Sequence, residues 1–277
     1  VAQSGTRSEI TMQDIFEGRL DISEDILYFA KEQLSEEAWA QLLPMVDSYA
    51  AEEFALAALL SEHEDEMKLA MTTPHTILTL VQHLLDVQPD EYVGDLCCGS
   101  GSGFVSFAMN QPDAHYFGYE INEERGGIAR IRAELLGSNV QVQLGDVFQL
   151  ADDKNTPRFD KIFSNYPFGM RLRYLGEGSN YMERLAEQYP GLSKATSSDW
   201  IFNALLCDLL AENGKAIGIM TNGSTWNSID TPMRKYFAER KMIECVISLP
   251  VKMFPYTNIG TTLVVFSHGN DTIRMID

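Results

Sequence analysis

The stretch Val93-Gly94-Asp95-Leu96-Cys97-Cys98-Gly99-Ser100-Gly101-Ser102-Gly103-Phe104 decides the architecture. Tyr92–Leu96 is a short, largely apolar run of strand length. The glycines at 99, 101 and 103 form a turn whose backbone can take positive φ and pass close to a ligand. A helix is expected after them. A strand that runs through a glycine turn into a helix opens an α/β sheet with a ligand site at the strand's carboxyl end.

Outward from this stretch the pattern repeats. Strand candidates at Tyr92–Leu96, His115–Glu120, Val140–Gly145, Lys161–Ser164, Lys215–Thr221, Ile243–Leu249 and Thr262–Ser267 alternate mostly with helical segments. They predict a doubly wound, mostly parallel seven-stranded α/β sheet. Only about a dozen residues, with no clear helix, join the last two strands, and a parallel crossover normally needs more. The last strand is therefore expected to be antiparallel. Thr73-Pro74 opens a helix carrying Ile77, Leu78, Val81, Leu84 and Leu85. Residues 1–70 instead space their apolar side chains as helices do, with a break expected at Pro44. The domain reading is a small helical N-terminal region over 1–70 and a catalytic domain over 71–277. Residues 170–198 show little apolar regularity and read as a long surface excursion.

Composition narrows the classes. The chain has 277 residues, of which 45% are hydrophobic and 22% charged. These values fit one large ordered domain with an appendage and exclude wholesale disorder. No apolar run reaches the roughly 18 residues of a membrane helix, and no basic-then-apolar leader opens the sequence. Four cysteines without a disulfide ladder or paired C-x-x-C knuckles suggest a reduced, cytoplasmic protein with no metal site. His63 among the carboxylates of 61–66 reads as part of a solvated helix face. The formal charge of −19 does not attract a polyanion. If the substrate is a nucleic acid, a local basic face or a partner must supply the grip.

Three strand-terminal acids then define a chemistry. Asp95 precedes the glycines, where a pyrophosphate would be repelled and the ammonium of an amino-acid moiety attracted. The spacing D-x-x-x-G-x-G also differs from the dinucleotide fingerprint. Both features favour S-adenosylmethionine over NAD. About 20 residues beyond the turn, Glu120 ends the next strand and suits the two hydroxyls of a ribose. Asp146 follows the third strand and could accept from an adenine amino group, with Val147 and Phe148 closing on the ring; capping of the next helix is its other reading. After the fourth strand comes Asn165-Tyr166-Pro167-Phe168. A nucleobase amine is a poor nucleophile because its lone pair is delocalised into the ring. The Asn165 side-chain oxygen and the Tyr166 carbonyl could accept its two hydrogens, while Phe168 stacks on a base turned out of its duplex. Pro167 stiffens the turn and biases Tyr166 away from helix.

The segments TTPHTI (72–77), DLCCGSGSGF (95–104), YEIN (119–122), GDVF (145–148), SNYPFG (164–169), DWIF (199–202), LLAENGKAIGIMTNG (209–223) and VISLPVKMFPYTNIGTTLVVF (246–266) together resemble the N6-adenine DNA methyltransferases. The closest resemblance is to the modification subunits of type I restriction–modification systems. It implies transfer of a methyl group from S-adenosylmethionine to adenine N6 in double-stranded DNA, with the adenine flipped out. A specificity subunit, and in such systems a restriction subunit, are the implied partners. The implied cofactor contacts are Thr73, Pro74, Asp95, Cys97, Gly99, Ser100, Gly101, Glu120, Ile121, Asp146, Val147, Phe148 and Asn165. The implied catalytic turn is Asn165, Tyr166, Pro167 and Phe168.

Family members often carry Pro at the position of Tyr166, so the turn is expected to lose rigidity here. Met71-Thr72 stands where an aromatic usually packs on the cofactor. Asp95 is expected to stay charged. Cys97 and Cys98 read as small packing residues, since nucleophilic cysteine chemistry would need a later Pro-Cys pair and none exists. Arg171, Arg173, Arg184 and Lys194 form a candidate DNA-facing patch. Methylation of RNA or of a protein glutamine amide is the alternative activity, because the same turn serves any planar amide or amine nitrogen. A non-catalytic scaffold is the third reading, which the intact Asn165 and Phe168 disfavour.

Overall fold

The computed structural model describes residues 72–153, 155–170, 181–193, 195–254 and 258–277. The expected helical region over 1–70, with Pro44 and His63, lies outside them, as do Met71, Arg171, Arg173 and Lys194. The described chain runs α1 (His75–Leu85), β1 (Tyr92–Leu96), α2 (Ser102–Asn110), β2 (His115–Glu120), α3 (Glu123–Leu136), β3 (Val140–Leu144), α4 (Val147–Asp152) and β4 (Phe159–Ser164). It continues through α5 (Tyr181–Gln188), α6 (Ser198–Leu209), β5 (Leu210–Thr221), α7 (Gly223–Trp226), α8 (Thr231–Glu239), β6 (Ile243–Ser248), β7 (Thr261–Phe266) and β8 (Arg274–Ile276). No described helix is long and apolar enough to cross a membrane.

The strands form one sheet in the order β3-β2-β1-β4-β5-β7-β6-β8. Pairing is parallel except around β7, which runs antiparallel to both β5 and β6. All seven expected strands are present. β4 and β5 start earlier than expected, at Phe159 and Leu210, and pair there before a register shift. The eighth strand was not expected. It pairs in parallel with β6 for three residues, all of them exposed, so no burial pattern in the sequence could announce it.

Alternation of side chains splits the core between the two faces of the sheet. Ile162 and Ala216 pack on one side with the nearly all-buried α6, while their neighbours Phe163 and Ile217 pack on the other with α1 and α2. Strands covered on both faces read as continuous apolar runs, and β7 is buried at every position. The described part of the expected surface excursion is more ordered than anticipated. Tyr181, Leu185 and Tyr189 form one buried stripe, the Tyr181 hydroxyl donates to Asp208 at 2.8 Å, and Tyr189 packs between Tyr236 and Phe237. Three anchors at four-residue intervals are too sparse to register as an amphipathic helix among so many polar neighbours.

Candidate active site

Because β3, β2, β1 and β4 lie side by side and parallel, their carboxyl ends share one edge. Asp146, Glu120, Asp95 and Asn165 follow each other along that edge in the same order. The turn after β1 is left-handed at three positions, Cys97 (φ 65°), Gly99 (φ 59°) and Gly101 (φ 94°). Only glycine takes this conformation cheaply, so Cys97 is locally strained, as residues at ligand sites often are. Gly103 serves close approach: a Cβ there would lie 2.3 Å from Asp95 Oδ2. Its absence lets the amide of Phe104 donate to that oxygen at 2.9 Å. The buried guanidinium of Arg132 on α3 braces the turn from behind, donating to the Ser100 carbonyl at 2.9 Å.

Asp95 is almost fully buried, and its second oxygen, Oδ1, has no hydrogen-bond partner among the described residues. Burial pushes its carboxyl up to about 7; the Phe104 amide opposes this and the nearby Glu120 charge adds to it. Desolvation thus outweighs the one bond that favours the anion in the unliganded chain. Glu120 accepts from the amides of Gly99 at 2.8 Å and Asn122 at 2.7 Å. It therefore shapes the turn, and its oxygens keep further lone pairs for a ligand. Burial, reinforced by the surrounding carboxylates, pushes the thiols of Cys97 and Cys98 well up. Both stay protonated and serve as packing groups.

At the end of β4 the amide nitrogen of Asn165 donates to the Thr73 hydroxyl at 3.0 Å. That contact orients the side chain and leaves Oδ1 as its acceptor. Tyr166 is buried, Pro167 exposed and Phe168 half-buried. Ser164 bonds back to the Leu96 carbonyl, tying β4 to the glycine turn.

One cleft of about 280 Å3, its open mouth included, brings Thr73, Asp95, Cys97, Gly99, Ser100 and Asn165 together with Thr72, Cys98, Ser102, Gly103 and Phe163. Several anticipated contacts stand off its walls. Gly101 caps α2 and Glu120 reaches the cleft through Gly99. Pro74 precedes α1, and Ile121 points out of the fold with 67% of its surface exposed. Asp146 accepts from the Phe148 amide at 2.9 Å and so begins α4. Val147 and Phe148 do not face the cleft as expected: both are core residues, and the Phe148 ring packs 5.2 Å from that of Phe202. An apolar pair beside a strand-end acid reads alike as ligand wall or core, and α6 supplied the core.

Two contributions were missed. Thr73 was expected over the cofactor, yet its resolved contact is with Asn165. Phe254, a buried core residue, meets Phe168 edge-on at 6.1 Å and 85° and so supports the aromatic of the turn from the core side; it lay unremarked in VKMFPYTNIG, where nothing in spacing announces that contact. Arg184, the described member of the basic patch, is paired with Asp152 at 2.5 Å and lies 5.0 Å above the Tyr181 ring.

Comparison with known proteins bears on the fold and the family. A methylase subunit of the type I restriction enzyme MjaVIII from Methanocaldococcus jannaschii is 26% identical over 200 residues, covering 66% of this chain and 34% of the relative. The chain thus spans about a third of that relative's length. The solved methyltransferase subunit of a type I restriction-modification system from Streptococcus thermophilus matches with a TM-score of 0.66 at 19% identity, covering 82% of this chain and 50% of that one. A class I S-adenosylmethionine-dependent methyltransferase from Listeria monocytogenes matches with a TM-score of 0.63 at 14% identity, over 96% and 83% of the two chains. These likenesses show the class I methyltransferase fold. The N-6 DNA Methylase family model matches residues 52–277, most of the sequence and all of the described fold, and the chain belongs to that family.

Proposed function

We propose that this chain carries the catalytic part of a methyltransferase that modifies adenine N6 in double-stranded DNA, as the modification subunit of a type I-like restriction–modification system. The observation that carries the reading is the row Asp146, Glu120, Asp95, Asn165 along one sheet edge, with the cleft at its Asp95–Asn165 end. The chemistry of the residues at this cleft suits the amino-acid end of S-adenosylmethionine. A buried carboxylate oxygen without a partner among the described residues calls for a cationic group, and the missing side chain at Gly103 keeps that carboxylate accessible to the turn. Bound there, the cofactor supplies a methyl group on an activated sulfonium.

The chain's own residues do the rest. Asp95 holds the ammonium, Gly99 and Gly101 let the backbone approach, Glu120 receives the ribose hydroxyls, and Asp146 accepts from the adenine ring's amine. Asn165 Oδ1 and the Tyr166 carbonyl accept the two hydrogens of the target amine, which frees its lone pair for in-line attack. The nitrogen–carbon bond forms as the sulfonium carbon–sulfur bond breaks to leave a neutral thioether, and the excess proton is lost from nitrogen during or after transfer, so no strong base is required. Positioning and exclusion of water account for the acceleration. The acidity of the chain supports leaving much of the DNA grip to a specificity subunit, with a restriction subunit as a further associate. Four free thiols suit a reducing cytoplasm.

Single-molecule sequencing of DNA from cells that express the full-length protein with its neighbouring genes tests this directly. N6-methyladenine at one defined motif is the expected outcome. Unmodified DNA, with methyl label in RNA or in a protein glutamine, would shift the assignment to the alternative substrate.

Two substitutions separate the halves of the site. Replacing Glu120 by Ala should weaken cofactor binding roughly ten- to hundredfold, the 1.5–3 kcal/mol of charged hydrogen bonds. Wild-type affinity in a calorimetric titration would remove its ribose role. Phe168→Ala should weaken capture of the extruded base by about 1–3 kcal/mol, the usual worth of base–aromatic stacking. The change should appear in the KM for DNA while cofactor affinity holds.

A further inference from the structure

We propose that the side chain of Tyr166 is a positioning group for the reaction: locked into α6, it fixes the main-chain carbonyl that receives one hydrogen of the target amine. The inference rests on the proposed function and goes beyond it, since only the backbone of this residue was needed there.

Three observations carry it. The Tyr166 ring lies parallel to that of Phe202, 4.8 Å away at 6°, and it is 1% exposed. Its hydroxyl donates to Asn203 Oδ1 at 2.9 Å, and Asn203 is itself wholly buried, its amide nitrogen directed at Met220 Sδ at 3.5 Å. Opposite this pair stands Gly218 on β5, where a Cβ would lie 2.7 Å from Asn203 Oδ1 and 3.2 Å from Tyr166 Cε1. The sheet has no side chain where the pair sits.

Packing alone does not require this arrangement. A phenylalanine would fill nearly the same volume, and burying a hydroxyl and an amide is costly unless they satisfy each other. What the pair adds over an apolar contact is direction. Burial pushes the phenol well above its ordinary range, so the hydroxyl remains a donor. Pro167 is exposed and Phe168 half-buried, so Tyr166 is the turn residue sunk in the core, while Asn165 is held separately by Thr73. The turn is thus clamped at both acceptors. The rigidity expected to be lost without a proline at 166 is regained from below.

The test uses the full-length protein with its partner subunits. Tyr166→Phe, Asn203→Leu and their combination are compared for kcat, KM for DNA, cofactor dissociation constant, melting temperature and fluorescence of 2-aminopurine at the target position. Tyr166→Phe should lower kcat about tenfold or more, since small displacements of an aligned acceptor are costly. Cofactor affinity should stay within about twofold, and the 2-aminopurine signal of an extruded base should persist. The double variant should be no slower than the slower single one, because both remove one contact. A Tyr166→Phe kcat within about twofold of wild type would overturn the inference. So would a loss that tracks melting temperature and recovers on cooling, or one shared equally by cofactor affinity. Asn165→Ala distinguishes the levels: if it transfers methyl groups at close to the wild-type rate, the proposed function fails; if it is slowed on the order of a thousandfold while Tyr166→Phe is fully active, this inference alone fails.

Discussion

Asn165→Ala should reduce kcat for adenine methylation on the order of a thousandfold while leaving the cofactor dissociation constant within about threefold. The size follows from what the amide does. The amine must surrender conjugation with the ring before it can attack, so an acceptor aimed at its hydrogens acts mainly in the transition state, where removal costs kcat. The amide is also pre-oriented, because its nitrogen is committed to Thr73 at 3.0 Å. Alanine removes the acceptor and leaves Asp95 and the glycine turn untouched. Rapid-quench measurement of a single turnover, beside calorimetry with S-adenosylmethionine, separates the two effects. Equal losses in both would mean that Asn165 belongs to the cofactor seat, whose cleft it also lines, and would cancel the role given to it.

How much of this could be read from the sequence depends on whether a residue's task is local. The glycine turn, the strand-end acids and the Asn-x-Pro-aromatic turn each declare themselves within a few residues, because strand, turn and helix follow from period and from φ. Their assembly on one edge follows from parallel topology, which the alternation of strands and helices already implied. The antiparallel β7 was legible too, from the shortness of the link before it. Long-range packing was not legible. That Phe148 and Tyr166 send their rings toward Phe202 depends on α6 lying under β4, more than thirty residues on in the chain, and neighbouring residues do not encode it. Thr73 illustrates the same limit: its position at the cleft was expected, its bond to Asn165 across the fold was not. Asp95 shows a third kind of limit, since desolvation depends on how completely α2 and the turn close over it.

On the proposed function, that burial should make Asp95 the pH sensor of cofactor binding. Its carboxyl is held at about 7, against an ordinary value of 3.8. Between roughly pH 4 and 7 the folded chain therefore keeps a proton that the unfolded chain releases. Without cofactor, this group's contribution to stability is full below that window and fades as pH rises through 7. Binding reverses the balance, because an ammonium opposite the unpartnered Oδ1 favours the charged form. Cofactor affinity should rise about tenfold per pH unit up to 7, level off, and decline again above about 8 as the ligand's α-amino group loses its proton. Calorimetry at pH 6 in buffers of different ionisation enthalpy should show nearly one proton released per cofactor bound. Asp95→Asn keeps an oxygen for the Phe104 amide while removing the charge. It should bind S-adenosylmethionine on the order of a hundredfold more weakly at pH 7.5. It should also lose the rising limb of the profile, and its unliganded melting temperature should vary less with pH than that of the wild type. A wild-type affinity that is flat from pH 5.5 to 7.5 would show that the carboxylate is already charged. An Asp95→Asn variant that binds as tightly as the parent would place the ammonium elsewhere in the cleft.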